Sequence, residues 1–462
     1  MSDLADLTAV DLAAGFAAGK FSPPEVLAAV EARIAVREPH LHALYAYDPE
    51  GARAAARASA ARWGRGAALG PLDGVPVTIK ENVATKGVPM PLGTAASDLT
   101  PAAADAPPAA RLREAGAVIL GKTTMPDYGM LSSGLSSFHP LTRNPWNLAR
   151  NPGGSSAGAA AAAAAGYGPL HLGTDIGGSV RLPAGWCGVV GLKPSLGRVP
   201  IDPPYIGRVA GPLTRTVADT ALMMSILSRP DRRDHMSLPP ADIPWQDLAI
   251  SPKGLRFGLM LEAGFGFPVE PEVKAAVTGA AERFAAEGAE IVPLAPFLTP
   301  EMMAGLDMFW RVRAWADIKA LPAARAAKVL PFIRAWAEGG ANASGLDVYH
   351  GVSQIMAIRA AATRAFEGVD YVLSPTAPMP AFAAELPAPS NDPERPFEHI
   401  GFTVAFNMSE QPAVSINAGY SAEGLPIGLQ IIGQRFDDIG VLRIAALWEK
   451  LRPPSRAWPE VG

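Results

Sequence analysis

Three segments of the 462-residue chain combine residue types that can attack a carbonyl group and stabilise the charge that follows. The first, Gly74-Val-Pro-Val-Thr-Ile-Lys80-Glu-Asn, sets a lysine directly after an apolar run. A lysine there is either paired or held neutral, because burial lowers its pKa. The plainer alternative is a strand-end lysine paired with Glu81. The second, Asn151-Pro-Gly-Gly-Ser155-Ser156-Ala-Gly158, runs into the alanines 159–165, the best helix formers. That places both serines at or near a helix N-terminus, where free N–H groups and the dipole favour negative charge. Simple N-capping by Ser155 or Ser156 would satisfy the same pattern. The third is Gly173-Thr-Asp175-Ile-Gly177-Gly178-Ser179-Val-Arg181-Leu-Pro183. Consecutive glycines before a serine let backbone N–H groups converge on one point, as an oxyanion hole requires. Alone, it also reads as a glycine turn between sheet elements. Together the segments supply a base, hydroxyls and a donor loop.

Other motifs match only by letter. Gly116-Ala-Val-Ile-Leu-Gly121-Lys122-Thr123 fits the phosphate-loop pattern, but its middle is an apolar strand whose N–H groups belong to sheet neighbours. Gly154-Ser155-Ser156-Ala157-Gly158 fits the nucleophile elbow, which needs a strand running straight into the serine. A loop rich in Pro and Asn precedes it here, although His350 and His399 leave a histidine-based triad open. His40, His42, His139, His171 and His235 show no metal-ligand spacing, and no metal is expected. Cys187, in Trp-Cys-Gly-Val-Val, reads as buried filler; as the single cysteine it excludes an intrachain disulfide.

The elements that must hold these segments alternate in type. Ser22 caps a predicted helix reaching Ile34, and a second helix covers 52–63. Strands are predicted at 75–79, 117–120, 169–172, 189–192, 255–260, 289–293, 371–374, 413–416 and 427–432. Helices are predicted at 109–115, 218–227, 270–288 and 439–451, with a helix-rich stretch over 298–366. The pattern argues for one α/β domain around a mixed sheet, with residues 1–65 as a helical cover and 66–462 as the catalytic part. With 40 basic and 44 acidic residues the net charge is −4, and no basic stripe points to nucleic acid. The acidic Met1–Thr8 lacks a signal-peptide pattern, and the Ala/Gly run 157–172 is too short for a bilayer, so a cytoplasmic, membrane-free protein is expected.

The three segments resemble the amidase signature family. The likeness is strong over about residues 65–220 and continues in Leu373-Ser-Pro-Thr-Ala-Pro and Gly424-Leu-Pro-Ile-Gly-Leu-Gln-Ile-Ile-Gly433. The spacings of 75 positions from Lys80 to Ser155 and 24 from Ser155 to Ser179 agree with it; Ala157 departs, where the family has Gly or Ser. The resemblance implies a mixed, twisted sheet covered by helices on both faces. It implies Ser179 as acyl-forming nucleophile, Ser155 as a bridging serine held by a cis peptide bond, and Lys80 as base. Ile176, Gly177, Gly178 and Ser179 would offer backbone N–H groups to the oxyanion, with Ser156, Asp175 and Arg181 in support. No cofactor is implied.

The family embraces stand-alone amidases, anilide, carbamate and lipid amide hydrolases, and the glutaminase subunit of a tRNA-dependent amidotransferase. That subunit carries a Ser-Leu-Asp-Gln stretch after its Lys-Pro-Thr motif. Here Lys193-Pro-Ser-Leu-Gly-Arg198 leads into a Pro-rich 199–211 without it. The preferred expectation is therefore a free-standing enzyme, monomer or homodimer, acting on small neutral amides or anilides, with carbamates and esters as further substrates. The glutaminase subunit is the alternative. Met130, Phe309, Trp310 and Trp315 are candidates for an apolar substrate pocket, with core packing the plainer reading for at least half of the aromatics, Phe332 and Trp336 included.

Overall fold

The computed structural model describes residues 3–461 and winds them around a single mixed sheet. Its strands are β1 (Leu44–Tyr45), β2 (Pro76–Lys80), β3 (Val118–Thr123), β4 (Leu170–Asp175), β5 (Val190–Lys193), β6 (Val209–Thr214), β7 (Arg256–Leu259), β8 (Glu290–Pro293), β9 (Tyr371–Pro375), β10 (Ala413–Tyr420) and β11 (Pro426–Ile432). Across the sheet they lie in the order β1-β3-β2-β4-β6-β5-β10-β11-β9-β7-β8. β2 is parallel to both β3 and β4, and β7 to both β8 and β9; the remaining neighbours are antiparallel.

β2 explains the position of the lysine. Flanked by parallel neighbours and covered on both faces, it is apolar until its last residue apart from Thr78. Its pairing with β4 sets Ile79 opposite Leu172, so both strands end at the same edge of the sheet. Lys80 and the glycine loop after Thr174 therefore emerge side by side, outside the carboxyl ends of parallel strands.

The alanine run is a helix, Ala157–Ala165, buried along its whole length. One face packs Ala161, Ala162 and Ala165 against Leu27, Val30 and Ile34 of the helix Pro23–Leu41. The other packs Ala159, Ala160, Ala163 and Ala164 against Val180, Ala184 and Leu213. Small side chains on every face let this helix sit between two layers. Ser22 and Glu25 form a capping box at the start of Pro23–Leu41, which runs past Ile34. The N-terminal segment does more than cover, because β1 extends the sheet by pairing with β3.

The helix-rich region forms a second core, in which Trp310, Ile333, Trp336, Ile355 and Ile358 meet. Besides β1 and the helix Ala9–Ala17, three elements nearer the middle and end of the chain escaped the sequence pattern. β6 contains Gly211 and Pro212, the helix Arg181–Cys187 contains Pro183 and Gly185, and the helix Gly401–Met408 spans only two turns. Tertiary neighbours order these segments against their local propensity. Among the described residues no helix is long and apolar enough to cross a membrane.

The packing of the alanine helix sets a test. Ala160→Leu inserts three carbons into a fully buried site and should destabilise the fold by about 1–3 kcal/mol, read as a lower urea midpoint at unchanged slope.

Candidate active site

Lys80 is wholly buried, yet among the described residues no carboxylate hydrogen-bonds its amine. Nζ lies 2.7 Å from Ser155 Oγ, 3.0 Å from Ser156 Oγ and 3.4 Å from the Thr174 carbonyl oxygen. Glu81, the neighbour expected to pair with it, turns away: its carboxylate meets His139 Nε2 at 2.8 Å and accepts the amides of Leu92 and Gly93. Desolvation, and after it the Arg208 cation, hold the Lys80 pKa well below the ordinary lysine value; Asp175 and Glu81 oppose this only in part. The geometry thus gives a buried amine in hydrogen-bond reach of two hydroxyls.

The serines reach it through a tightly fixed loop. Asn151 Oδ1 accepts the amides of Gly134 and Gly153, and its amide group donates to Ser133 Oγ. A Cβ on Gly154 would sit 2.5 Å from the Ser133 nitrogen, so the approach needs glycine. The Gly154–Ser155 peptide bond is cis. Ser156 starts the alanine helix and is tied to the second loop, its amide donating to the Ser179 carbonyl at 3.1 Å and its hydroxyl to Thr174 O at 3.2 Å.

Asp175 and Arg181 shape that second loop, and both are buried. Asp175 accepts the amides of Gly178 (2.8 Å) and Val180 (3.0 Å), the guanidinium of Arg181 (3.0 Å) and the amide group of Asn407 (2.9 Å). Desolvation pushes its pKa up, but the Arg181 charge and these hydrogen bonds prevail and hold it below the usual carboxylate range. Arg181 extends to the Thr403 carbonyl and to Gln430 Oε1, so it braces the loop, and it lines neither of the cavities at Ser179. Gly178 has φ +129°, and a Cβ there would lie 2.5 Å from Thr403 Oγ1. The expected four-donor hole loses a member: the Gly178 amide is taken by Asp175. Among the described residues, the amides of Ile176, Gly177 and Ser179 have no hydrogen-bond acceptor.

Two cavities meet at Ser179. A narrow one, about 60 Å³, is lined by Tyr128, Met130, Leu131, Trp310, Phe397 and Ile400 beside Ile176 and Gly177. A wider one, about 370 Å³, holds Ser155 as well as Ser179 and carries Asn82, Tyr205, Arg208, Arg313 and Asp317. Of the four proposed pocket residues, Met130 and Trp310 line the site, whereas Phe309 and Trp315 do not. Both belong to the helix Pro300–Lys319, and only positions 310, 313 and 317, spaced three and then four apart, face the cavities. Phe309 and Trp315 pack into the helical core instead, and Trp336 donates its indole N–H to Asp307. Phe397, Ile400 and Arg208 carry no periodic signal in the sequence, and Tyr128 lies between the strands and helices that the sequence predicts.

The other motifs are structural. The phosphate-loop match folds as β3, with Lys122 buried and donating to Val83 O and Thr85 Oγ1. His350 is exposed on the helix Gly345–Arg364. His399 is buried against Trp186, its pKa pushed down to about 3 by desolvation, and it touches neither serine. His171 bonds Thr78 and Gly168. Burial pushes the Cys187 thiol up, leaving it inert.

Known proteins share this architecture. A solved bacterial aryl acylamidase of the amidase signature family superposes with a TM-score of 0.89 and 30% identity, over 96% of each chain. 6-Aminohexanoate cyclic dimer hydrolase superposes at 0.87 with 28% identity, over 99% of each. A glutamyl-tRNA(Gln) amidotransferase subunit from Roseiflexus castenholzii is 36% identical across 100% of this chain and 99% of its own length. Its counterpart from Myxococcus xanthus is also 36% identical, over 97% of each. The family model named Amidase matches residues 25–442, and with the buried lysine, paired serines and donor loop on one sheet edge, this chain belongs to the amidase family of amide hydrolases.

Proposed function

We propose that this enzyme hydrolyses amide C–N bonds through an acyl-enzyme on Ser179, with Ser155 and Lys80 as its proton relay. The observation that carries this reading is the 2.7 Å contact between a buried, carboxylate-free Lys80 amine and Ser155 Oγ. Neutral Lys80 takes the Ser155 proton while Ser155 takes that of Ser179, whose Oγ attacks the carbonyl carbon. The oxyanion meets the amides of Ile176, Gly177 and Ser179, each worth about 3 kcal/mol in the transition state. Ser155 then protonates the leaving nitrogen, the C–N bond breaks, and water attacks the ester by the same route. No hydrogen bond links Ser155 to Ser179 in this structure; such links often tighten only with substrate.

Two substrate readings divide the observations. The narrow apolar cavity beside Ser179 fits a small alkyl or aryl acyl group, as a free-standing hydrolase of neutral amides and anilides would need. The full-length relatives named as amidotransferase subunits favour the alternative, a glutaminase acting with partner proteins, and they favour it more strongly than the first. The missing Ser-Leu-Asp-Gln stretch and the apolar lining speak for the first. Turnover of propionanilide by the isolated chain decides for it. Glutamine hydrolysis appearing only with added partner subunits, with propionanilide untouched, decides for the second.

The relay makes two further predictions. Ser179→Ala should form no acyl adduct with a slow ester by mass spectrometry. Lys80→Ala and Ser155→Ala should each lower kcat by about 10²–10⁴-fold, and the double variant by little more than either. Lys80 must be neutral to act, so kcat/KM should fall tenfold per pH unit below its depressed pKa. Arg208→Met removes a repelling cation, raises that pKa, and should move the acidic limb to higher pH.

A further inference from the structure

Arg208 and Arg313 stand beside Ser155 and Ser179 with no carboxylate in ion-pair contact among the described residues. Arg208 lines the wider cavity alone, and Arg313 stands where the two cavities meet and lines both. Arg208 is partly buried and makes only two long hydrogen bonds, 3.4 Å each, to the carbonyl oxygens of Pro203 and Asn82. Arg313 lies over the Tyr205 ring, 4.5 Å from its centroid, which fixes its plane. Neither forms an ion pair among the described residues, whereas the buried Arg181, Arg198 and Arg311 each meet an aspartate. Desolvation, then repulsion from Arg313, draws the Arg208 pKa down to about 10, so the group stays cationic at neutral pH. A desolvated cation held next to a second one is stabilised by an anion from outside.

The two cavities also differ in what they hold. Ser155 lies in the wider one and is absent from the narrow one. In the relay above Ser155 protonates the leaving nitrogen, so the leaving amine occupies the wider cavity and the acyl group the narrow one. Asp202 and Asp317, both exposed, line the wider cavity as well. The four charges cancel in sum, but neither aspartate forms an ion pair with Arg208 or Arg313 among the described residues, so both guanidinium groups stay open to a carboxylate from outside. A planar carboxylate also matches the guanidinium fork.

We infer that the wider cavity is a leaving-group subsite for an amine bearing a carboxylate, held by Arg208 and Arg313, so that the substrate class is N-acyl amino acids and N-acyl aminoaryl acids. This rests on the free-standing hydrolase reading. Hydrolysis adds water across the C–N bond: the acyl carbon gains the hydroxyl, the nitrogen gains the proton, and a carboxylic acid and an amino acid leave.

The test compares N-propionyl-4-aminobenzoate with propionyl-4-nitroanilide, whose nitro group copies the carboxylate's shape without its charge. Arg208→Met should lower the ratio of their kcat/KM values about ten- to a hundredfold, mainly by raising KM for the aminobenzoate. The ratio cancels any general damage, including the shift in Lys80. Arg208→Lys should restore part of the loss, and Arg313→Gln gives an independent variant should Arg208→Met fail to fold. Hydrolysis of both substrates with a ratio unmoved in the Arg208 and Arg313 variants overturns the subsite alone. A loss confined to succinanilic acid, which carries its carboxylate on the acyl side, overturns it too. Absence of turnover of every amide by the wild-type chain overturns the hydrolase reading and this inference with it.

Discussion

An amine buried without a counter-ion is the constraint around which this structure is arranged. Lys80 hydrogen-bonds only to hydroxyl and carbonyl groups among the described residues, since Glu81 is drawn off by His139 and two backbone amides. In such a setting the neutral amine is favoured, because the charged form loses its hydration with no carboxylate to replace it. Everything else at the site follows from putting that amine within reach of Ser155. β2 must be central and parallel to deliver it, the 151–155 loop must be pinned to bring the serine in, and the alanine helix must be thin enough to start there.

A second buried centre has the opposite character. Asp175 and Arg181 form a buried ion pair whose hydrogen bonds are nearly all satisfied, by the loop's own amides, Thr403, Asn407 and Gln430. Removing either partner would strand a charge, which is why such pairs act as rigid braces. The brace reaches from the glycine loop to β11 and the helix Gly401–Met408, some 220 to 250 positions away in sequence. It consumes the Gly178 amide and leaves those of Ile176, Gly177 and Ser179 without an acceptor among the described residues.

Legibility in the sequence followed locality. The motifs around Lys80, Ser155 and Ser179 were readable because each depends on a few adjacent residues whose types are chemically demanding: a lysine after an apolar strand, serines before alanines, glycines before a serine. Most strands and long helices were readable for the same reason, from short-range periodicity. β6 and the helix Arg181–Cys187 were not, since Pro and Gly inside them argue locally for loop while sheet neighbours impose order. The aromatics over 309–315 could not be sorted either, because facing the cavity or the helical core depends on how the helix is rotated against its partners.

The family, the α/β class and the three residues assigned to the relay are all written in residue types at local spacing, and the linear chain suffices to read them. Folding settled the rest: Lys80 meets Ser155 and not Glu81, three of the loop's four amides and not all four stay free of an acceptor among the described residues, and Trp310 and Arg313 line the cavities while Phe309 and Trp315 do not. Folding also left Arg208, from a Pro-rich stretch with no motif, uncompensated beside the serines. The physical reason is the same in each case. Hydrogen-bond partners, burial and charge balance are properties of groups brought together from distant positions, and no local pattern records which groups those will be.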